Sequence, residues 1–470
     1  MSYEIRANYD QAFLLPPSLD DWVGADHPAR FIRDFVDSLD LGDLGFRVGP
    51  APTGRPNYSS DLLLKVWLLG YFMKIRSTRL LEKAGMDNMG FLWLTGMKSP
   101  DHNTLWRFVH NHRSQMSKVF KKSVEVAVRM DLVGFVVHAI DGTKIQSVCS
   151  RRTGLSRKEL GRLLKETEAS IEQMLEEVEK EGEIEGSGIR LPEGLQDRKE
   201  RKRKIEEALK ELQERDLKYF HPGESDARMM KMGMCKEYGY NAQIVADGES
   251  GLILAEGVSN EANDQKQLVG MMEKVEETLG ETADETLADG GYLSGKQLAE
   301  AEEREYEVTV SMKEPSSSEA PYHSSRFEFD REKDVCICPQ GRELRFEQER
   351  YSKNRKKKIR RYRCHHRDCP NRDECTRDKR GRSIEVEEYH EAIERQRKKN
   401  REGSMRALMS LRRQIAELPF AQIKWNMGFR RWSYRGLSKV RGQWAMVCTI
   451  SNLQKLYRRW VEGSLSFGTV

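Results

Sequence analysis

The chain has 470 residues, of which 33% are charged and 38% are hydrophobic. This length leaves room for about two to four domains, and the composition supports globular cores with much of the surface left to charged residues. No run approaches the roughly 20 apolar residues that span a bilayer, which excludes a transmembrane helix. The start MSYEIRANYD is polar and charged, so we expect no signal peptide and a cytoplasmic protein.

Residues 1–130 are predicted to form a mostly helical domain. Segment 59–74 opens with serines that can cap a helix, and its apolar residues are too dense for a surface stripe, so we expect a buried helix. Short helices with tight breaks follow up to residue 116, a layout that matches a helix-turn-helix. The last of them carries Arg107 and Arg113, which could face phosphates or bases; an ordinary helical bundle is the alternative.

An α/β core is predicted on either side of a helical hairpin. The segment GFVVHAIDGTKI (134–145) is typical of a buried strand that ends in polar residues, and strands alternating with helices resume between 238 and 312. Between them, residues 156–218 carry apolar stripes on two charged helical segments, which predicts an antiparallel hairpin. Such an arm could serve in dimerisation, in clamping DNA or as a spacer, and the pattern does not separate these roles.

Two basic blocks lie in the last third of the chain. From Tyr351 to Arg382 there are 14 Lys and Arg against 4 Asp and Glu, and from Arg395 to Arg441 there are 14 against 2. Such blocks attract a polyanion, usually DNA or RNA, although one block alone can equally be a solvated face. The predicted parts are a helical domain 1–130, a first part of the core 131–155, a hairpin 156–218, a second part of the core 219–313, a cysteine-rich basic insert 314–386 and a third part of the core 387–470.

Five of the eight cysteines fall between residues 336 and 375. In a reducing compartment a local cluster suggests a metal site more than disulfides. A structural zinc ion would stabilise a small module that has few buried apolar residues of its own. Unliganded thiols are the alternative, because the spacings between the cysteines are loose and two adjacent histidines offer other ligands. The four candidate zinc ligands are Cys338, Cys364, Cys369 and Cys375.

Two aspartates stand at the ends of predicted strands. Asp141 in AIDGTKI and Asp289 in ETLADGGY each follow an apolar run and precede glycine. Acids in such positions emerge at the carboxyl edge of a sheet, where α/β sites form, and glycine permits close approach of a metal or substrate. Each Asp-Gly alone is more often a turn, but two of them in one α/β domain favour a site.

A third acid, Glu417, is isolated within the second basic block. Arg413 lies four residues before it and Lys424 seven after it. If the helix continues past Pro419, these three residues share one face. An acid in this position could bind a metal ion, or it could form a structural salt bridge with a neighbouring basic residue.

Three carboxylates suit the cleavage of phosphodiester bonds. Their hard oxygens bind Mg²⁺ or Mn²⁺, and two such ions about 4 Å apart activate the attacking oxygen and stabilise the leaving one. The nucleophile would be water for strand cleavage and a DNA 3′-hydroxyl for strand transfer.

Nearly the whole chain resembles the bacterial insertion-sequence transposases of the DDE class, whose core has an RNase H-like fold. The motifs that carry the resemblance are GRPNYSSDLLLKVWLLGYF, AIDGTKI, DARMM, GYNAQIVAD, LADGGY and IAELPFAQIKWNMGFRRWSYRGLSKVRGQW. The R-x3-E-x6-K spacing of Arg413, Glu417 and Lys424 fits the family signature, but the tyrosine that often opens it is replaced by Ser410.

The resemblance implies that Asp141, Asp289 and Glu417 form a DDE triad that holds two Mg²⁺ or Mn²⁺ ions. It also implies an α/β core with an RNase H-like mixed sheet. Two protomers would bind double-stranded DNA, both at the terminal inverted repeats and at a target. The protein would be found in the bacterial cytoplasm, or on the nucleoid when it is bound to DNA. A nuclease without strand transfer and a catalytically dead DNA-binding repressor are the rivals. The predicted DNA-binding residues are Lys144, Arg413, Lys424, Arg430, Arg431, Arg435, Arg107 and Arg113.

Overall fold

The computed structural model describes residues 18–50, 56–185, 194–312, 320–352 and 357–467. Its first part is helical, as predicted. Helix α2 is buried along most of its length, with Leu64, Trp67 and Leu69 at most 1% exposed, because nearly all of its residues are apolar. After a 3-10 turn at Leu19–Trp22, the helices are α1 (Pro28–Asp37), α2 (Ser60–Phe72), α3 (Thr78–Asp87), α4 (Met89–Thr95), α5 (His102–Asn111) and α6 (Gln115–Arg129).

A helical hairpin follows the first strand of the core. Its helices share a small core of their own, made by Leu160, Ile205, Ala208 and Leu212. They occupy the segment for which the sequence predicts a hairpin, and residues 186–193 of the predicted break lie outside the described residues. The elements are β1 (Val137–Gln146), a 3-10 turn at Arg151–Thr153, β2 (Leu155–Ser156), α7 (Arg157–Glu185), α8 (Leu195–Glu214) and β3 (Tyr219–Phe220), and β2 pairs with β3 at the base of the hairpin.

The central sheet is mixed and joins β1 to strands that follow the hairpin. The long strand β5 lies antiparallel to β1 and carries both β4 and β6 on its other edge, while β7 and β8 continue the sheet beyond β1 as parallel strands. This mixed α/β core beside a helical amino-terminal region confirms the predicted fold class. The added elements are β4 (Arg228–Met232), β5 (Cys235–Asp247), β6 (Ile253–Ser259), α9 (Leu268–Leu279), β7 (Glu285–Ala288), a 3-10 turn at Gly290–Tyr292, α10 (Gly295–Glu303) and β8 (Val308–Val310).

The cysteine-rich segment contains a five-stranded antiparallel sheet that the sequence did not predict. The strand order is β13-β12-β11-β10-β9, and its core includes Leu344, Tyr362 and Val386. After a 3-10 turn at Ser324–Arg326, the elements are β9 (Glu328–Asp330), β10 (Val335–Ile337), β11 (Glu343–Ser352), β12 (Lys357–Arg363), α11 (Arg372–Cys375) and β13 (Ser383–Glu387).

Three helices close the chain. The sequence predicts one helix over about 387–418, but the structure contains two, because Glu402 is extended (φ −66°, ψ 135°) and breaks the helix. The second of them continues through Pro419 and widens into a π-helical turn, Gln422–Asn426. The three helices are α12 (His390–Arg401), α13 (Gly403–Ala421) and α14 (Leu437–Val461).

Helix α14 ties the helical region to the sheet. It packs against α6 and β6, and one hydrophobic cluster includes Phe120 of α6, Ile253 of β6 and Trp444 of α14. Helix α14 and the segment before α6 come close together at Gly442, where a Cβ atom would lie 2.7 Å from the carbonyl oxygen of Arg113. No helix among the described ranges is long and apolar enough to cross a membrane.

Candidate active site

Two parallel strands bring Asp141 and Asp289 together at the carboxyl edge of the central sheet. The last register pair of β1 with β7 is Ile140 with Ala288, and each aspartate follows one of these residues. The sequence predicts an acid at the end of each strand. Asp289 directly follows β7, whereas β1 continues to Gln146, so Asp141 lies within β1 at the point where its pairing with β7 stops. Backbone N–H groups orient both carboxylates: those of Gly142 and Gly291 each donate to an aspartate Oδ1, and both distances are 2.8 Å.

A third carboxylate, which the sequence analysis missed, belongs to Asp264 in the segment between β6 and α9. Its Oδ1 accepts hydrogen bonds from Asn241 Nδ2 at 2.6 Å and Gln243 Nε2 at 2.7 Å, and its Oδ2 lies 2.9 Å from Lys144 Nζ. A Cβ atom on Gly142 would lie 2.8 Å from Oδ1 of Asp264. The carboxylate therefore packs against the backbone that directly follows Asp141.

The carboxyl group of Asp141 is strongly perturbed. Its pKa is raised to about 6, mainly by burial and also by the carboxylates of Asp289 and Asp264, while the hydrogen bond from the N–H of Gly142 and the guanidinium of Arg412 act in the opposite direction. Ionisable groups with shifted pKa values are concentrated at functional sites, although ion-pair networks also produce them. The adjacent acids and the burial together favour a cation at this edge of the sheet.

Two basic side chains approach the carboxylates from the segment after the insert. The amine of Lys424 donates a hydrogen bond to Thr143 Oγ1, two residues after Asp141 on the same strand. Burial lowers the pKa of Lys424, while the charge of Asp141 opposes that effect. Arg412 Nη1 is buried and has no hydrogen-bond partner among the described residues. The structure thus places Lys424, predicted as a DNA contact, beside the strand that carries Asp141, and Arg412 is a further basic residue that the sequence analysis did not single out.

Glu417 lies on α13, which packs across β1, β5 and β7. Its neighbour Ala416 is fully buried against Ala139 and Leu287, which precede the two aspartates by two residues on their strands. The side chain of Glu417 is 58% exposed, and its Oε1 lies 3.6 Å from Nε of Arg413 on the same helix. Within the described ranges, no group of three or more His, Cys, Asp or Glu side chains is arranged to hold a metal ion. Glu417 therefore does not close a cluster with the aspartates in this structure.

One flank of α13 faces the amino end of β1. Leu411, Gln414 and Leu418 line a cavity of about 530 Å³ together with the turn Asp247–Gly251, which lies at the amino end of β1. Glu417 does not line that cavity. It lies one turn before Phe420 on α13, and Lys424 Nζ is 6.0 Å from the ring centroid of Phe420.

The remaining predicted DNA-binding residues differ in their contacts. Arg431 is engaged with the protein, because its Nε and Nη2 both donate at 2.9 Å to carbonyl oxygens just after β1. Arg113 donates to Ser438 Oγ and to the carbonyl of His110, both at 3.1 Å. Arg107, Arg430 and Arg435 are exposed on the surface.

The aromatic residues near the second basic block divide into two groups. Phe429 and Trp432 are 1% exposed and pack in the core, and Tyr434 is half-buried. Trp425 is 70% exposed, and the guanidinium carbon of Arg430 lies 3.8 Å from its ring centroid. Only Trp425 of these four therefore offers an open face for stacking on a base.

The first basic block, Tyr351 to Arg382, is largely paired within the insert. Arg360 lies 2.8 Å from Asp334. Arg363 lies 2.7 Å from Glu347 on the neighbouring strand. These acids lie outside the block, so the excess of positive charge counted along the sequence overstates the charge that the folded insert presents.

The four candidate zinc ligands gather at one end of the insert. Burial is the main cause that raises the pKa of Cys375, and the thiolates of Cys338, Cys364 and Cys369 raise it further. The N–H of Arg342 donates to Cys338 Sγ at 3.3 Å. The four sulfur atoms are thus neighbours, but as stated above they do not form a metal-holding group in the described structure.

Two family models match the chain. Residues 17–111 match "Transposase domain (DUF772)", and residues 337–457 match "Transposase DDE domain". The second match contains Glu417, Lys424 and the four candidate zinc ligands. A search of curated proteins found no match.

Proposed function

We infer that this chain, which the two family matches identify as an insertion-sequence DDE transposase, cuts DNA at the terminal inverted repeats of a mobile element and joins the cut ends to a target duplex. The observation that carries the proposal is the register of β1 and β7, which sets Asp141 and Asp289 side by side. Two carboxylates held side by side, one of them within β1 and largely buried, repel each other when both are ionised, and a divalent cation would offset that repulsion.

Asp141 and Asp289 fit Mg²⁺ or Mn²⁺ through their chemistry, since both provide hard oxygen donors on neighbouring strands. Two ions bound there would activate the attacking oxygen and stabilise the leaving oxygen of the phosphodiester. The chain itself orients the aspartates through Gly142 and Gly291. The carboxylate of Asp264, which packs against Gly142, lies 2.9 Å from the amine of Lys144.

Glu417 is proposed as the third acid of the triad. Its support is the packing of its neighbour Ala416 on the strands that carry the aspartates, together with its place on the helix that continues into the turn containing Lys424. Because its carboxylate is exposed and paired with Arg413, we propose that it turns toward the aspartates when metal ions and DNA neutralise the site.

Lys424 is proposed to contact the DNA backbone beside the cleaved phosphate, and Lys144 and Arg430 to contact phosphates nearby. A partly buried ammonium next to Asp141 is well suited to a phosphate oxygen. Two protomers are expected on the DNA, because two element ends have to be joined in one reaction.

The experiment is cleavage and strand transfer on a plasmid that carries the DNA flanking the gene. Asp141→Ala, Asp289→Ala and Glu417→Ala should each abolish cleavage in Mg²⁺ and leave DNA binding intact. Glu402→Ala, at the start of the same helix as Glu417, is the matched control and should cut like the wild type. If all three variants still cut, the site assignment is wrong.

The same experiment separates the two rival functions. A nuclease on this core would cut the plasmid but never join an end to a target duplex. A DNA-binding repressor would bind the flanking repeats without cutting them, with or without the three substitutions.

A structural zinc ion in the insert is proposed from the convergence of the thiols on Cys375 and from the N–H···S bond to Cys338, which orients one sulfur. Its role would be to fix the end of the five-stranded sheet. Metal analysis of the purified protein tests this, and less than half an equivalent of zinc would contradict it. Cys235→Ser, which changes an exposed thiol elsewhere, should leave the zinc content unchanged.

A further inference from the structure

We propose that a pocket between α5 and the segment after Trp432 binds one unpaired nucleotide of the DNA strand that leads away from the active site. This inference rests on the proposed function. The pocket has a volume of about 260 Å³ and lies where the helical region meets the end of β1. It is lined by Trp106, Val109, His110, Arg113, Val148, Ser433, Tyr434, Arg435 and Lys439.

The lining combines an aromatic surface with positive charge. The rings of Trp106 and His110 are stacked, with centroids 4.6 Å apart and planes 16° apart, and Trp106 remains 45% exposed. The cationic side chains are Arg113, Arg435 and Lys439, and none of the lining residues is acidic. An aromatic face beside several cations is the composition that binds a base and its phosphate.

Arg113 is held in a fixed position at the pocket. Its Nε donates to Ser438 Oγ at 3.1 Å and its Nη1 donates to the carbonyl oxygen of His110 at 3.1 Å. The backbone of Arg113 is also packed against Gly442. A guanidinium fixed in this way loses little further freedom when it binds a phosphate, which favours binding.

The pocket is connected to the active site along β1. β7 ends at Ala288, so the edge of β1 beyond Asp141 is free of β7, and the segment after Lys424 covers it. Trp432 N–H donates to the carbonyl oxygen of Gln146 at 2.9 Å, just before the pocket residue Val148. At about 3.3 Å per residue, the seven residues from Asp141 to Val148 span at most about 23 Å, which corresponds to roughly seven nucleotides of one DNA strand at 3.4 Å each.

An unpaired nucleotide fits this pocket better than a base pair. Stacking on Trp106 requires the flat face of a base, which duplex DNA hides between its neighbours. The pocket volume equals that of about eight or nine water molecules at ~30 Å³ each, which is room for one base but not for the width of a duplex.

The test uses the full-length protein and two fluorescent probes, a 12-nucleotide oligo(dT) strand and a blunt duplex of equal length, with binding followed by anisotropy. Trp106→Ala should weaken binding of the single strand by about fivefold to a hundredfold, the range for loss of one base–aromatic stack. It should change duplex binding less than twofold. Trp106→Phe keeps an aromatic ring and should retain most of the affinity, and Trp22→Ala, at an exposed tryptophan outside the pocket, should behave as wild type.

Lys439→Gln provides a second readout that does not depend on the tryptophan. The slope of the logarithm of affinity for oligo(dT) against the logarithm of salt concentration should fall by about 0.7, the value for one phosphate contact on a single strand. Equal losses for both probes in Trp106→Ala, or no loss for either, would overturn the proposal. Asp141→Ala should bind oligo(dT) normally, so failure of the pocket and failure of the proposed catalytic function are distinguishable.

Discussion

Replacing Asp141 with asparagine should stabilise the metal-free protein at neutral pH while it destroys the active site. Burial, with the charges of Asp289 and Asp264, raises the pKa of Asp141 from an ordinary 3.8 to about 6. A carboxyl group whose pKa is higher in the folded state binds its proton more tightly there, so its contribution to stability falls as pH rises from about 4 to about 6 and stays low above that. Each tenfold change in proton affinity is worth about 1.4 kcal/mol, which makes the cost of the ionised Asp141 about 3 kcal/mol at pH 7.

The assay is urea denaturation in the presence of a chelator, repeated from pH 4.5 to pH 8 for wild type and Asp141→Asn. The variant should be more stable by up to about 3 kcal/mol at pH 8, and the difference should shrink toward pH 4.5. Asp101→Asn is a control of opposite sign, because hydrogen bonds from Thr104 lower the pKa of Asp101 and its ionised form stabilises the protein. If Asp141→Asn is no more stable than wild type at pH 8, or if the difference does not change with pH, the desolvation argument is refuted.

Three further outcomes follow from the contacts at the site. Asp264→Asn should lower the cleavage rate about tenfold to a hundredfold without weakening DNA binding, as expected for a group that orients residues beside metal ligands; an unchanged rate would leave Asp264 a purely structural residue. Arg412→Ala should move the acid limb of the pH–rate profile to higher pH, because Arg412 lowers the pKa of Asp141, whereas Arg413→Ala should leave that limb in place. Gly142→Ala should lower the unfolding free energy by about 1–3 kcal/mol in denaturant titrations, since its methyl group has no room beside Asp264.

The positions of Asp141 and Asp289 after apolar strand segments could be predicted, because strand patterns are local. Each apolar run ends in Asp-Gly, and the carboxyl ends of parallel strands meet at one edge of a sheet. The sequence alone does not show which strands are neighbours. That information comes from the register, in which β7, only four residues long, lies directly beside β1.

Asp264 could not be predicted, because its role depends on contacts with residues that are distant in the sequence. It lies in a polar segment, SNEANDQ, with no strand pattern around it, and its importance comes from contacts to residues more than 20 positions away in the chain. Lys144, 120 positions away, was predicted as a DNA contact, and the structure shows its amine paired with Asp264. The ion pair leaves Lys144 beside the site but lowers its freedom to move toward a phosphate.

The insert shows why charge counted along the sequence can mislead. The residues of β12 are mostly Lys and Arg, which is the pattern of a solvated or DNA-binding face. Cross-strand neighbours on β11 and β13 supply Glu347 and Glu385, with Arg361 lying 3.0 Å from Glu385. These pairs form only when the sheet does, so a local count cannot include them, and the second basic block remains the better candidate for DNA contact.

The expectation that Arg413, Glu417 and Lys424 share one helical face assumed a regular α-helix beyond Pro419. The helix does continue through the proline, but it then widens into the π-helical turn that contains Lys424. A π turn adds a residue to the turn, so the side chains after it are rotated relative to those before it. The amine of Lys424 therefore reaches Thr143 while Glu417 stays exposed beside Arg413. The π turn therefore explains why the three residues do not share one face. Because π turns occur often at functional sites, it also supports a place for this helix in the active site.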